Sequence, residues 1–353
     1  MEHRPWFKNY DPQVPHTLEP YPKIPLFGFL EQSARDYPNN TAIIFKPRAM
    51  NGPLDALTGG KMSYRTLDEL TDRLAGALAK LGVKKGDRVA ILMPNTPQFI
   101  MAFYGILKAG GVVVATNPLY SAREMEYQLK DCGAELILVT TNYYARAKEI
   151  QPKTQIKRII ATHVREYMGG FLKTLFPLNK HAAAEHQAEL AEGDLWLGDL
   201  LAQNTPADRP KLDIGPDDIA IFQYTGGTTG ISKGAVALHR NLVANTVQIK
   251  AWIHDTKMGG EVVLTALPLF HVYGLVAAMS YGIAVAATHW CSFPTRATSK
   301  TFYRRSTHIT RPSSLACRRC ITQSTTIQTC SATTSVRSAP ASAAAHRSCQ
   351  RPR

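Results

Sequence analysis

"DDIAIFQYTGGTTGISKGA", residues 217–235, runs from a short apolar stretch into a segment with four glycines, three threonines and a single lysine. The stretch before Thr225 reads as a strand. A chain leaving a buried strand through Gly226, Gly227 and Gly230 turns tightly and brings backbone N–H groups close to an anion. Thr225, Thr228 and Thr229 add hydroxyl donors, and Lys233 adds a movable positive charge. Together they suit a polyphosphate held over residues 223–235. The spacing is not that of the P-loop, which needs Gly directly before Lys, whereas Ile231 and Ser232 intervene here. By composition alone the segment reads equally well as a flexible Gly/Thr turn.

Outward from this loop, helix and strand signals alternate. "TLDELTDRLAGALAKLG" opens with a capping box, Thr66 to Glu69, and places Leu67, Leu70, Leu74, Leu78 and Leu81 on one face before Gly82 stops it. "RVAIL" (88–92) is a buried strand. Thr96–Pro97 supplies an N-cap and a first-turn proline for "QFIMAFYGILKAGG". "VVVA" (112–115) follows, then a second capping box, Ser121 to Glu124, for a helix ending near Gly133. "ELILVT" (135–140) and "IKRIIAT" (156–162) complete a β-α-β-α-β series. The alternation predicts an α/β fold with a parallel sheet covered by helices on its faces. After the glycine loop, "HRNLVANTVQIKAWI" reads as a helix and "EVVLTALPLFHVYG" as a strand and turn.

Two segments leave alternatives open. "YMGGFLKTLFPLNKH" lies in a looser region, 163–215, and reads as a surface excursion or as a membrane-touching segment over 164–181. Residues 262–289 carry no charged side chain, which is long enough for a membrane span. Pro268, His271 and Gly274 interrupt that run, so a buried strand–loop–helix is expected, with a membrane anchor as the alternative.

The net charge of +14 suggests a nucleic-acid or anionic-membrane partner until its distribution is read. From Trp290 to Arg353 there are eleven Lys or Arg and no acidic residue, which leaves 30 basic against 27 acidic residues before Trp290. The body is near neutral and the tail carries the charge. Cys132 is the body's lone cysteine; Cys291, Cys317, Cys320, Cys330 and Cys349 follow it. That distribution fits a reducing, cytoplasmic setting better than a disulfide scaffold. "MEHRPWFKNYDPQ" shows no apolar signal region.

"YTGGTTGISKGA" resembles the signature loop of the adenylate-forming, or AMP-binding, enzymes: acyl-CoA synthetases, luciferases and peptide-synthetase adenylation domains. "MSYRTLDELTDRLAGALAKLGVKKGDRVAILMPNTPQFIMAFYGILKAGGVVVATNPLY", "HRNLVAN" and "ALPLFHVYGL" resemble further segments of that family. The likeness covers roughly residues 20–289 and lies nearest to the long-chain fatty acid–CoA ligases, with other acid–CoA or acyl-AMP ligases as alternatives. Ser232 departs from the proline of many relatives. The resemblance implies activation of a fatty acid with ATP and magnesium, release of pyrophosphate, and acyl transfer from AMP to coenzyme A. It implies that Thr225, Gly226, Gly227, Thr228, Thr229, Gly230 and Lys233 hold the β- and γ-phosphates. It places His271 near the reacting carboxylate and α-phosphate, and Phe270, Tyr273 and Gly274 along the acyl pocket. A lone histidine in an apolar stretch also reads as a core residue. No metal ligand is assigned.

The family text does not continue as "WCSFPTRATSK". Read one nucleotide earlier, the codons of residues 290–300 permit "VVLIPNPRDIK", those of 308–323 permit "THHPTLFPGVPTMYNA", and those of 330–348 permit "VQRYDLRSVRACISGSAPL". Twenty-two of the last 64 residues are Ser or Thr, and no periodic apolar pattern survives. The expectation is therefore a partial AMP-binding domain over 1–289 and a disordered, out-of-frame tail over 290–353. The family's magnesium acid, ribose aspartate, hinge and adenylation lysine find no counterpart, so the chain as written is expected to be inactive. An isolated nucleotide-binding lobe is the second reading. Cys317–Arg–Arg–Cys320 lacks the partner spacing of a zinc ribbon or finger, and the basic tail lacks the aromatic platforms of a nucleic-acid site.

Overall fold

The alternation between residues 64 and 162 folds into one face-covered sheet, and flanking segments build a second. The computed structural model describes residues 4–46, 59–178, 186–225 and 231–292. Its strands are β1 (Thr41–Lys46), β2 (Gly60–Ser63), β3 (Arg88–Leu92), β4 (Val112–Ala115), β5 (Leu136–Thr140), β6 (Arg158–Thr162), β7 (Leu195–Trp196), β8 (Ile219–Thr225), β9 (Lys233–Leu238), β10 (Val262–Thr265) and β11 (Thr288–Ser292). The larger sheet runs β7-β6-β5-β3-β4-β8-β9, parallel throughout except for the antiparallel β8–β9 pair. The smaller runs β10-β11-β1-β2, with only β1–β2 antiparallel.

Strands β4 and β5 are buried along their whole length, as expected where both faces of a parallel sheet are covered. On one face, the helices Tyr64–Lys80 and Pro97–Lys108 share a core with residues of both sheets, among them Ile43, Phe45, Val113 and Ile221. On the other, Met125, Leu129 and Cys132 of the helix Ala122–Cys132 pack with Tyr144, Ala147 and Ile150 of the helix Tyr144–Ile150. All twelve residues of Pro97–Lys108 are buried, Lys108 included. Its ammonium is held by Asp68 at 2.7 Å and Asp72 at 2.8 Å, while Arg209 bridges Asp72 to Glu31. A charge sealed in the core persists only with such partners.

The helix termini follow the sequence with one correction. The Thr96 hydroxyl accepts the Phe99 N–H, and Ser121 and Glu124 form both halves of a capping box. That helix ends on Gly133 at φ 61°, left-handed backbone that glycine adopts without a Cβ penalty. The box expected at Thr66–Glu69 does not form. Ser63 is the cap, accepting the Thr66 N–H, and the helix starts at Tyr64. The reason is tertiary: the buried Tyr64 hydroxyl donates to the Ala287 carbonyl at 2.7 Å, which draws the helix start to the end of β2.

The uncharged run 262–289 forms β10, a π-helical stretch Gly274–Ser280 continuing as α-helix through Ala284, and the start of β11. No helix among the described residues is long and apolar enough to cross a membrane. Strand β11 runs three residues past His289, through Ser292, and Cys291 is wholly buried opposite Phe45 and Thr265. The segment Gly170–Leu175 is a short helix; Val164 and Met168 before it are in the core, while Lys173, Thr174 and Leu178 are exposed. The tail from residue 293 onward, with the expected disorder and its cysteines from Cys317, lies outside the described residues.

Candidate active site

Strand β8 carries Thr225 at its end and pairs antiparallel with β9, which begins at Lys233. Read from the sequence, this strand runs into the glycine loop and then to the helix at His239, with no strand assigned to 233–238. "KGAVAL" hides its strand character because Gly and Ala are poor strand formers. What sustains it is the cross-strand pair Tyr224–Gly234. A Cβ on residue 234 would fall 3.0 Å from the Tyr224 ring, so glycine there lets the ring lie over the backbone. The Tyr224 hydroxyl donates to the Asp131 carboxylate on the helix behind the sheet. Burial first, and that carboxylate second, hold the phenol far above its usual range.

Thr225 and Lys233 face each other across the hairpin as direct register partners, and both are exposed. The Ser232 hydroxyl donates to the Thr225 carbonyl at 3.1 Å and closes the mouth. Proline at 232 has no hydroxyl to make that bond. Gly226, Gly227, Thr228, Thr229 and Gly230 lie outside the described residues. The mouth therefore presents one hydroxyl and one ammonium side by side at the carboxyl end of a parallel strand, where open α/β sheets bind ligands.

The second part of the site comes from the loop after β10. Asn95, just past β3, is buried and spends its whole amide on this loop. Its Nδ2 donates to the carbonyls of Thr265 (3.0 Å) and Leu267 (2.7 Å), and its Oδ1 accepts the Leu269 N–H at 2.9 Å. Gln223, two residues before Thr225, donates from Nε2 to the Phe270 carbonyl at 3.2 Å. Strand β8 is thus bonded to the residue preceding His271. His271 is exposed, and its Nδ1 accepts the Tyr273 N–H at 3.2 Å. With Nδ1 an acceptor, the neutral ring carries its proton on Nε2. Phe270 is half-buried against the main core and Tyr273 is exposed. Gly274 is buried where a Cβ would meet the Pro268 carbonyl at 2.2 Å, so only glycine fits. It opens the π-helical stretch, a distortion often found beside functional sites.

The structure thus brings Thr225, Lys233, Phe270 and His271 into one bonded framework through Asn95 and Gln223, neither of which was singled out from the sequence. A signal existed for Gln223: a polar side chain inside an apolar strand needs a partner. For Asn95, an isolated residue in "MPNTP", none did. Among the described residues no group of three or more metal-ligating side chains forms.

Comparison with known proteins gives this framework a lineage. The model of the AMP-binding enzyme family matches residues 30–315. A long-chain-fatty-acid–CoA ligase of Bacillus subtilis is 38% identical over 285 residues, covering 79% of this chain and 48% of that protein. A ligase of the same name from Escherichia coli O157:H7 is 34% identical over 277 residues, covering 76% and 46%. The crystal structure of a long-chain-fatty-acid-CoA ligase from Archaeoglobus fulgidus superposes with a TM-score of 0.64 at 23% identity, covering 84% of this chain and 52% of that one. The chain spans about half the length of the curated relatives it matches. The parallel sheet, the hairpin mouth and the family match over most of the chain agree: this protein belongs to the AMP-binding enzyme family.

Proposed function

We propose that the chain is the front half of a long-chain fatty acid–CoA ligase, an enzyme that joins a fatty acid to AMP and then to coenzyme A. The observation that carries this reading is the bond from Gln223 to the Phe270 carbonyl, which couples a Thr/Lys phosphate mouth to a histidine loop. In the proposed reaction the Lys233 ammonium and the hydroxyls of Thr225, Thr228 and Thr229 neutralise charge on the β- and γ-phosphates as pyrophosphate leaves. Thr225 to Gly230 supply backbone N–H groups to the same oxygens. His271 donates from Nε2 to an oxygen of the carboxylate or α-phosphate and holds the two in line. Phe270, Tyr273 and Gly274 line the start of the acyl channel, and Gly274 keeps the backbone close. Magnesium would accompany ATP as a phosphate-bound ion.

The reading extends to the chain as written. On this reading its last 64 residues depart from family text near His289, and the one-nucleotide shift that restores that text assigns the departure to a slipped frame. On this reading the 353-residue form lacks turnover, and the intact parent is the ligase. Expression of both forms, with ATP-dependent acyl-CoA formation as the readout, tests it; turnover by the short form removes the claim of inactivity. Nucleotide reads around codon 289 test the frame separately. A nucleotide-binding lobe without catalysis is the second reading, favoured by the self-contained hairpin and its Asp131 anchor. Peripheral contact with the inner face of a membrane through 164–181 is offered by the exposed Leu178 and Lys173, in an otherwise cytoplasmic protein.

A further inference from the structure

Far along the chain from the hairpin mouth, five aromatic rings form one continuous surface. The N-terminal strap Pro5–Asn9 is a single 3-10 turn with no buried residue. Trp6 meets Phe7 at 6.4 Å between ring centres, Phe7 meets Tyr10 at 5.2 Å, and Tyr10 meets Trp252 at 5.0 Å. His16 stacks on Phe7 at 4.2 Å with the planes 7° apart. Trp252 is the last residue of the helix His239–Trp252. One long-range ring contact, Tyr10 to Trp252, thus ties the strap to that helix end. Yet the two indoles remain open: Trp6 is 54% exposed and Trp252 is 50% exposed. Met258, six residues on, is also exposed.

Among the described residues next to these rings in sequence, the cations Arg4, Lys8, Lys250 and Lys257 outnumber the acidic Asp11 and Asp255. The Arg4 guanidinium lies 5.8 Å from the Phe7 ring centre, Lys8 is exposed, and no acidic residue occurs between Arg4 and Tyr10. Lys250 is exposed two residues before Trp252. Asp11, the first acidic residue of the strap, is turned toward His254 at 3.6 Å. Half-exposed indoles with neighbouring cations suit the headgroup layer of a bilayer, where an amphipathic ring and a basic side chain are both satisfied. A protein partner that buried these rings would need apolar pockets, and the cations at the rim would need acidic counterparts. A bilayer containing anionic lipid supplies both at once.

We propose that the Trp6–Phe7–Tyr10–Trp252 surface, with Arg4, Lys8 and Lys250 around it, docks the protein on an anionic membrane. The inference does not rest on the ligase reading, and failure of either leaves the other standing. Its test is indole fluorescence of the full chain with vesicles of brominated phosphatidylcholine, with and without about a third phosphatidylglycerol. Bromine quenches only indoles that enter the acyl boundary, which separates docking by this face from charge-only attraction of the basic tail. Quenching is expected with anionic vesicles and is expected to fall by more than half in Trp6→Ser/Trp252→Ser, whereas Leu178→Ser keeps it. Lys8→Gln is expected to weaken vesicle affinity about fivefold. Both serine substitutions fall at half-exposed positions, and an unchanged urea midpoint shows that the fold is retained. Undiminished quenching in the double variant contradicts the proposal, as does binding to vesicles without quenching. Indoles shielded by self-association in the absence of lipid would assign the face to a second copy instead.

Discussion

Lys233 and Thr225 owe their positions to their neighbours. Tyr224 lies over Gly234, Ser232 ties back to the Thr225 carbonyl, and Gln223 reaches the Phe270 carbonyl. A charged hydrogen bond to phosphate contributes about 1.5–3 kcal/mol. Lys233→Ala is therefore expected to weaken ATP binding roughly tenfold to hundredfold by calorimetry. Asn95→Ala removes three buried bonds and orphans two carbonyls and one N–H of the loop that carries His271. It is expected to cost about 2–3 kcal/mol in urea unfolding; a loss within experimental error would show that the loop is held by other contacts. The glycine, threonine and lysine content of this site was plain in the sequence. The supporting amides were not, because a single Asn or Gln gives no periodic signal and its bonds here span 47 and 170 or more residues.

At the scale of elements, the parallel strands β3 to β6 and the caps at Thr96 and Ser121 were legible from apolar runs and capping boxes. The elements that escaped had weak local strand signals or were set by distant contacts. Strand β9 depends on Tyr224 covering Gly234, β7 is two residues long, and the small sheet pairs residues near 43 with residues near 289. The early start of the helix at Tyr64 has the same origin in the Ala287 carbonyl. The π-helical stretch is held close by Gly274 against the Pro268 carbonyl. Gly274→Ala is expected to cost about 1–3 kcal/mol through overpacking, read as a lowered urea midpoint; an unchanged midpoint would mean the turn yields without cost. Lys108 makes a parallel case between helices. Lys108→Ala leaves the Asp68 and Asp72 carboxylates beside an empty site, and a loss of about 3 kcal/mol or more is expected.

For the molecule as a whole, buried histidines make stability depend on pH. Burial holds His239 and His289 neutral and lowers each to about 4. His239 uses its neutral Nδ1 to accept the Leu26 N–H at 3.0 Å. Both values lie below the usual 6.5 of the unfolded chain, so the unfolded state binds protons first as pH falls. Stability is full above about pH 6.5 and is lost progressively down to about pH 4. At pH 5 each histidine is expected to cost on the order of 2 kcal/mol. His239→Gln, which still offers an acceptor, is expected to flatten part of that slope in urea titrations at pH 7 and pH 5; a slope unchanged by the substitution would place its origin elsewhere. The family and most of the main sheet were readable from local text, because the signature loop and the strand runs are local. The two-sheet core and the Asn95–Gln223 framework were not, because they join segments far apart in the chain.

The central claim is that the β8–β9 hairpin grips a triphosphate. Equilibrium dialysis of the full chain against ATP, with Lys233→Ala in the second cell, tests it most directly. The account predicts saturable binding by the wild-type chain and a loss of at least tenfold in the variant. Equal binding by both chains, or none by a wild-type chain shown to be folded, would contradict it.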